Sequence, residues 1–249
     1  MEAYEENVFE PIPGSTPVKV KDTTEEPYSN VGLLRMTFPN DKTYIGTGTV
    51  IAKGDEKDSF YVLTCAHNLY DLSDKGEVKK VEFLRAFNDP KQPYPSIVAQ
   101  SWHYPAGYPK VAISRTEENN LVKSKDKKVG ADISLDYGIV KLKSAVHSSE
   151  GFPGIVVKTE KELMDLAVQI NGYGYYGKEM SHVAGPIKEV GDTYLRYPLS
   201  TKKGSSGSAI AKKNGKQIVG IHTRAHNEKY NQGVRIIESV KKEIFGWMV

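Results

Sequence analysis

The 249-residue sequence contains one cysteine, Cys65. A single thiol cannot form an intramolecular disulfide, so the fold must be held by its core. At about 100–200 residues per domain, the length suits one large domain or two small ones. It is also enough to bury a core without staples. No apolar run approaches the ~20 residues of a membrane-spanning helix. Charge of one sign is missing too. The 34 basic residues face 31 acidic ones, a net +3, which gives no case for nucleic acid as a partner. The opening MEAYEENVFEPIPGS lacks the basic start and apolar stretch of a secretory signal. With 39% hydrophobic and 26% charged residues, wholesale disorder is excluded.

Helical periodicity is scarce, and short β-branched and aromatic runs are abundant. They include VGLLRM (31–36), YIGTGTVIA (44–52), SFYVLT (59–64), VEFLRAF (81–87), YGIVKL (137–142), GIVVK (154–158), LAVQINGYG (166–174), TYLRYPL (193–199), SAIAKK (208–213) and QIVGIH (217–222). Many short strands between turn signals predict an all-β fold, a sandwich or a pair of barrels. Three stretches read as helical: one turn in 69–73, two in 159–167, and a terminal helix in 238–249 with Val240, Ile244 and Trp247 on one face. The Pro-, Lys- and Asn-rich segment 105–130 reads as a long exposed loop or linker. The first ~20 residues read as a loose arm.

Three stretches carry chemistry together. LTCAHN (63–68) places His67 just after an apolar strand, and LDYGIVKL (135–142) places Asp136 at the start of another. GSSGSA (204–209) places Ser206 in a glycine-flanked turn. A serine nucleophile needs a base to take its proton, an acid to orient that base, and donors for the oxyanion. Glycines on both sides of Ser206 let the backbone turn sharply enough to aim the N–H groups of Gly204 and Ser206 at one point. The order His, Asp, Ser argues against an α/β-hydrolase, which needs Ser, acid, His. No Asp or Glu lies between Ser206 and His222 or His226, and G-x-S-x-G fails because position 208 is serine. The order Asp, His, Ser is formally available through Asp55 or Asp58, but alternating helices and strands are missing.

These residues resemble the chymotrypsin-like serine proteases, and more narrowly the bacterial glutamyl endopeptidases of the staphylococcal V8 type. TCAHN matches the family's T-x-x-H box, DYGIVKL its aspartate strand, and LSTKKGSSGSAI (199–210) its serine segment. VKVKDTTEEPY (18–28), NGYGYYGK (171–178), IVGIHT and NQGVRI extend the resemblance from about residue 18 to 236. The resemblance implies two antiparallel six-stranded β-barrels with the site in the cleft between them, followed by the C-terminal helix. By it, an arm or propeptide remnant spans 1–20, the barrel with His67 and Asp136 spans 21–143, and the barrel with Ser206 spans 144–249. It makes His67 the general base, Asp136 its orienter (with Asp132 as rival) and Ser206 the nucleophile. Gly204 and Ser206 would supply the oxyanion N–H groups. Thr201, His222 and Thr223 would bind substrate, with Thr201 and His222 hydrogen-bonding a substrate carboxylate.

The implied activity is hydrolysis of peptide bonds after Glu, less often Asp, through an acyl-enzyme on Ser206. No cofactor and no metal are implied; histidines 222 and 226, four apart, would face together on a helix, but this segment reads as strand. Implied partners are acidic peptide or protein substrates, with neither nucleic acid nor membrane, for a monomeric, secreted enzyme. Its rate would rise with an apparent pKa of roughly 6.5–7 for His67. Cleavage after Asn7 would free Val8, since VFEP (8–11) resembles a mature start, and the chain would then be a proform. Lys202, Lys203 and Arg224 would add positive potential at the pocket. Thr-Arg-Ala after His222 departs from the aromatic or glycine residues of many relatives. Cys65 reads as a small buried core residue. The alternatives are a catalytically silent binding or toxin-like protein on this fold, or a protease of different specificity.

Overall fold

The computed structural model describes residues 11–112, 132–213 and 215–249. After the short β1 (Val18–Lys19) come β2 (Val31–Thr37), β3 (Thr43–Ile51) and β4 (Asp58–Thr64). A small hairpin of β5 (Tyr70–Asp71) and β6 (Gly76–Glu77) precedes β7 (Lys80–Arg85), β8 (Ile97–His103) and β9 (Gly138–His147). Strands β2, β3, β4, β9, β8 and β7 close, in that order, into an antiparallel six-stranded barrel. Closure removes the unpaired edges that an open sheet would present. Its interior is filled by Leu34, Met36, Phe38, Val50, Val62, Phe83, Val140 and Leu142, all fully buried.

The second sheet is built from β10 (Gly154–Ile155), β11 (Ala167–Gly174), β12 (Gly177–Pro186), β13 (Glu189–Val190) and β14 (Tyr194–Tyr197). It continues with β15 (Ala209–Lys212), β16 (Gln217–Ala225) and β17 (Asn231–Arg235). Its order is β1-β12-β11-β15-β16-β17-β14-β13, with β10 lying parallel to β16. Six strands of four or more residues carry this sheet, and the two-residue strands β1 and β13 sit at its ends. Its pairing is therefore an open path rather than the closed ring of the first barrel. The C-terminal helix, Glu238–Trp247, lays Val240 and Ile244 on a core shared with Leu63, Cys65, Ile139, Ile218 and Ile221. Trp247 packs on the same core while partly exposed.

Several sequence expectations change. Residues 69–73 make no helical turn: Tyr70 and Asp71 pair with Glu77 and Gly76. The helix expected over 159–167 is the single turn Glu160–Leu163, closed by a capping box between Thr159 and Glu162. Strand β8, which the sequence reading did not single out, completes the barrel just before the segment 105–130 read as a loop or linker. Most of that segment falls in residues 113–131, which lie outside the described residues. Residues 11–20 are tied down rather than loose. β1 pairs with β12, Ile12 N–H donates to Ser200 Oγ at 2.9 Å, and Ser200 N–H donates to Ser15 Oγ at 2.7 Å.

Candidate active site

The turn carrying Ser206 joins β14 to β15. Gly204 has φ +105° and Gly207 φ +88°, backbone that side chains with a Cβ rarely adopt. The barrel grips this turn by its carbonyls. Thr47 of β3 donates its N–H to Ser206 O at 2.9 Å and its hydroxyl to Gly204 O at 2.8 Å. Asn68 Nδ2 donates to Ser206 O at 3.0 Å. Holding the oxygens on the barrel side leaves the N–H groups of Gly204 and Ser206 with no acceptor among the described residues. The Lys203 carbonyl is packed on Gly174, where an added Cβ would lie 1.9 Å from its oxygen. In a trans peptide, the Gly204 N–H then points the opposite way.

His67 and Asp136 are brought together by one strand pair. Thr64 at the end of β4 is opposite Gly138 at the start of β9. His67 lies three residues beyond the first, in the 3-10 turn Ala66–Asn68, and Asp136 lies two before the second. His67 Nδ1 lies 2.9 Å from Asp136 Oδ2 and 3.2 Å from Oδ1. The His67 backbone N–H donates to Oδ1 at 3.0 Å. The Nδ1 contact assigns the Nδ1 proton to the carboxylate side and leaves Nε2 as the basic nitrogen. Burial opposes the imidazolium, but the Asp136 carboxylate outweighs it, so His67 titrates well above its ordinary value. Burial likewise opposes the Asp136 carboxylate, yet His67 and Arg224 hold it well below the usual range.

Ser206 Oγ donates to Thr223 O at 3.1 Å, and it makes no hydrogen bond to His67. His67 Nε2 is 3.5 Å from Cys65 Sγ. Cys65 is fully buried, and burial pushes its thiol pKa up, which keeps it protonated. Cys65, His67 and Asp136 bring possible ligand atoms within 4.8 Å of one another. Asp136 already spends its oxygens on His67 and Arg224. The arrangement has the geometry of an acid-oriented imidazole.

A second hydrogen-bonded chain lies beside the serine turn. His222 is buried on β16, with Nδ1 2.7 Å from the Tyr197 hydroxyl and Nε2 3.0 Å from Thr201 Oγ1. Asn231 Nδ2 donates to Thr201 Oγ1 at 2.8 Å and to Leu199 O at 2.7 Å. Burial, then the nearby His67, pushes His222 down to about 3, so its imidazole is neutral at pH 7. A neutral imidazole donates from one nitrogen and accepts at the other, matching a hydroxyl on each side. Both His222 nitrogens are thus engaged within the protein.

The remaining candidates separate clearly. Asp132 accepts from Ser134 N–H at an exposed position, so Asp136 is the carboxylate at His67. Lys202 stacks over Tyr175 at 5.1 Å, and Lys203 is exposed. Arg224 is buried and donates to Asp136 Oδ2 at 3.2 Å, so its charge is not offered to a substrate carboxylate as the sequence suggested. Val8 lies outside the described residues. Sequence reasoning missed Thr47, Asn68, Tyr197 and Asn231. Asn68 directly follows His67 and Asn231 opens NQGVRI, so both sat in recognised motifs, but their contacts are long-range.

Comparison with known proteins agrees with this geometry. The trypsin-like peptidase domain family matches residues 46–221, well over half of the chain. A glutamyl endopeptidase of Staphylococcus epidermidis is 39% identical over 74 residues, 28% of this chain and 26% of that protein. The match thus spans about a quarter of that relative's length. Among solved structures, a Glu endopeptidase in complex with MPD superposes with a TM-score of 0.74 at 21% identity, covering 94% of this chain and 97% of that one. The protease Anisep from Arthrobacter nicotinovorans gives a TM-score of 0.66 at 12% identity, over 92% and 97% of the two chains. At these identities the two structures show a common fold. With its barrel-held serine turn and its buried His67–Asp136 pair, the chain belongs to the trypsin-like peptidase domain family.

Proposed function

We propose that the protein is a serine endopeptidase that cuts after Glu, and less often after Asp. Ser206 is the nucleophile, His67 Nε2 takes its proton, and Asp136 orients and stabilises the imidazolium. A change of Ser206 χ1 from one staggered well to another takes Oγ off the Thr223 carbonyl. Attack on the scissile carbonyl gives a tetrahedral oxyanion, which the N–H groups of Gly204 and Ser206 receive. Collapse expels the amine, protonated by His67. Water then attacks the acyl-enzyme along the same path, and Ser206 recovers its proton. Losing one oxyanion donor of this kind typically costs ~3 kcal/mol of transition-state stabilisation.

The observation that carries the reading is the direct pairing of His67 with a fully buried Asp136 in a chain of this family. Acidic specificity rests on the Tyr197–His222–Thr201–Asn231 chain. If Nε2–H of His222 donates to Thr201 Oγ1, that oxygen also accepts from Asn231, and the Thr201 O–H is left to donate. A carboxylate entering the pocket would then meet a pre-aimed donor replacing lost water. Thr223, whose carbonyl now holds Ser206 Oγ, would bind the substrate backbone beside it. Trimming to Val8 belongs to this reading. Ile12 is anchored on Ser200, next to Thr201, and a four-residue tether reaches ~13 Å. A secreted, monomeric enzyme is the setting this proposal implies.

Fluorophosphonate labelling tests the nucleophile. The wild-type chain should label with one equivalent and Ser206→Ala should not. The Ser206–Thr223 hydrogen bond favours a second reading, in which the fold is kept for binding and the serine is idle. Failure of the wild type to label would support it.

A further inference from the structure

We propose that Arg224 is a positioning residue of the proton relay, ion-paired to Asp136 so that the carboxylate stays fixed and the basicity of His67 is held down. This rests on the reading of His67 as general base. Arg224 sits on β16, and a register shift between His222 and Arg224 interrupts the pairing with β17 there. Its Nη2 lies 3.2 Å from Asp136 Oδ2, the oxygen that also meets His67 Nδ1 at 2.9 Å. The Asp136 side chain is completely enclosed, and that of Arg224 is 7% exposed. The residue before it does not share the task, because Thr223 Oγ1 donates to Gln232 O.

Asp136 therefore has three donors with separate functions. The His67 backbone N–H holds Oδ1 in plane with the turn. His67 Nδ1 is the working contact. Arg224 balances the charge. With the guanidinium present, the buried Asp136–Arg224 pair is neutral overall, and a proton on His67 gains less from the carboxylate. Without it, a lone buried anion would face His67 and favour the imidazolium further. The other titratable groups facing the relay among the described residues are Cys65, at Nε2, and His222, one strand position from Thr223. Burial favours the uncharged form of both, so neither offsets the Asp136 charge as Arg224 does.

The test is the pH dependence of kcat/KM on a Glu substrate for wild type, Arg224→Gln and Arg224→Met. Gln keeps a donor without charge, and Met keeps volume alone. Loss of charge should move the acid limb up by about one pH unit in both variants, while activity recovers towards wild type above that limb. A merely structural role would lower kcat equally at every pH and leave the limb in place, which would overturn the proposal. Absence of fluorophosphonate labelling in the wild type at any pH would instead count against the serine-protease reading itself. If neither variant melts cooperatively, NMR of the unaltered protein decides. A paired guanidinium gives slowly exchanging Nη protons that shift as His67 titrates. Averaged, rapidly exchanging signals would refute the pairing.

Discussion

His222 gives the most quantitative prediction. In the folded chain it is enclosed, bonded to Tyr197 and Thr201, and pushed down to about 3, chiefly by burial and secondarily by His67. In the unfolded chain it titrates near ~6.5. Between these values the unfolded state binds a proton that the folded state refuses. Stability contributed by His222 is therefore full above pH 6.5 and falls as the pH drops towards 3. The slope is ~1.4 kcal/mol per unit, so two units below the unfolded value cost about 3 kcal/mol. The perturbation is His222→Gln, which cannot titrate, in a Ser206→Ala background that prevents self-digestion. Urea unfolding followed by tryptophan fluorescence at pH 7 and pH 4.5 reads the difference. Asp136 also loses stabilisation in acid, but it does so in both proteins and cancels. The parent should lose about 3 kcal/mol more than the variant over this interval. Equal losses would refute the neutral, buried His222.

Gly207→Ala should destabilise by at least ~2 kcal/mol, since φ +88° is strained for alanine and the new Cβ would lie 2.3 Å from Thr47 O. A lowered melting temperature and lost labelling of Ser206 check it. Asn231→Leu removes the donor to Leu199 O and Thr201 Oγ1, and should weaken Glu-substrate binding by ~1–3 kcal/mol, seen mainly in KM. The acid limb of kcat/KM should lie above the ordinary imidazole value, because Asp136 lifts His67; a limb at or below that ordinary value would contradict it.

Much of the architecture was legible in the sequence. Runs such as 31–36, 44–52 and 59–64 became β2, β3 and β4, because β-branched and aromatic residues fit a pleated, half-buried surface. Strand β8, IVAQSWH, escaped because its polar centre and surrounding prolines resemble a loop. The turn at 69–73 escaped because LYDLS has the spacing of a helix, while the pairing of Tyr70 with Glu77 is a contact to a later segment. At the site, His67, Asp136 and Ser206 were each readable from local motifs. The grip of Thr47 on the serine turn spans 157 residues to Gly204, and no local pattern encodes it. Arg224 shows the same limit. Its identity suggested a charge near the substrate, whereas tertiary structure turns that charge inward to Asp136.

The central claim is an acyl-transfer site with a pocket for a substrate carboxylate. Initial rates on matched peptides with Glu, Asp, Gln or Lys before the scissile bond test it most directly. Chains starting at Met1 and at Val8 should be compared, with Ser206→Ala as the blank. The account predicts cleavage after Glu ~10–100-fold faster than after Gln, as expected for one charge-assisted hydrogen bond, with slower cleavage after Asp and none in the blank. Equal rates on Glu and Gln, or activity that survives Ser206→Ala, would contradict it.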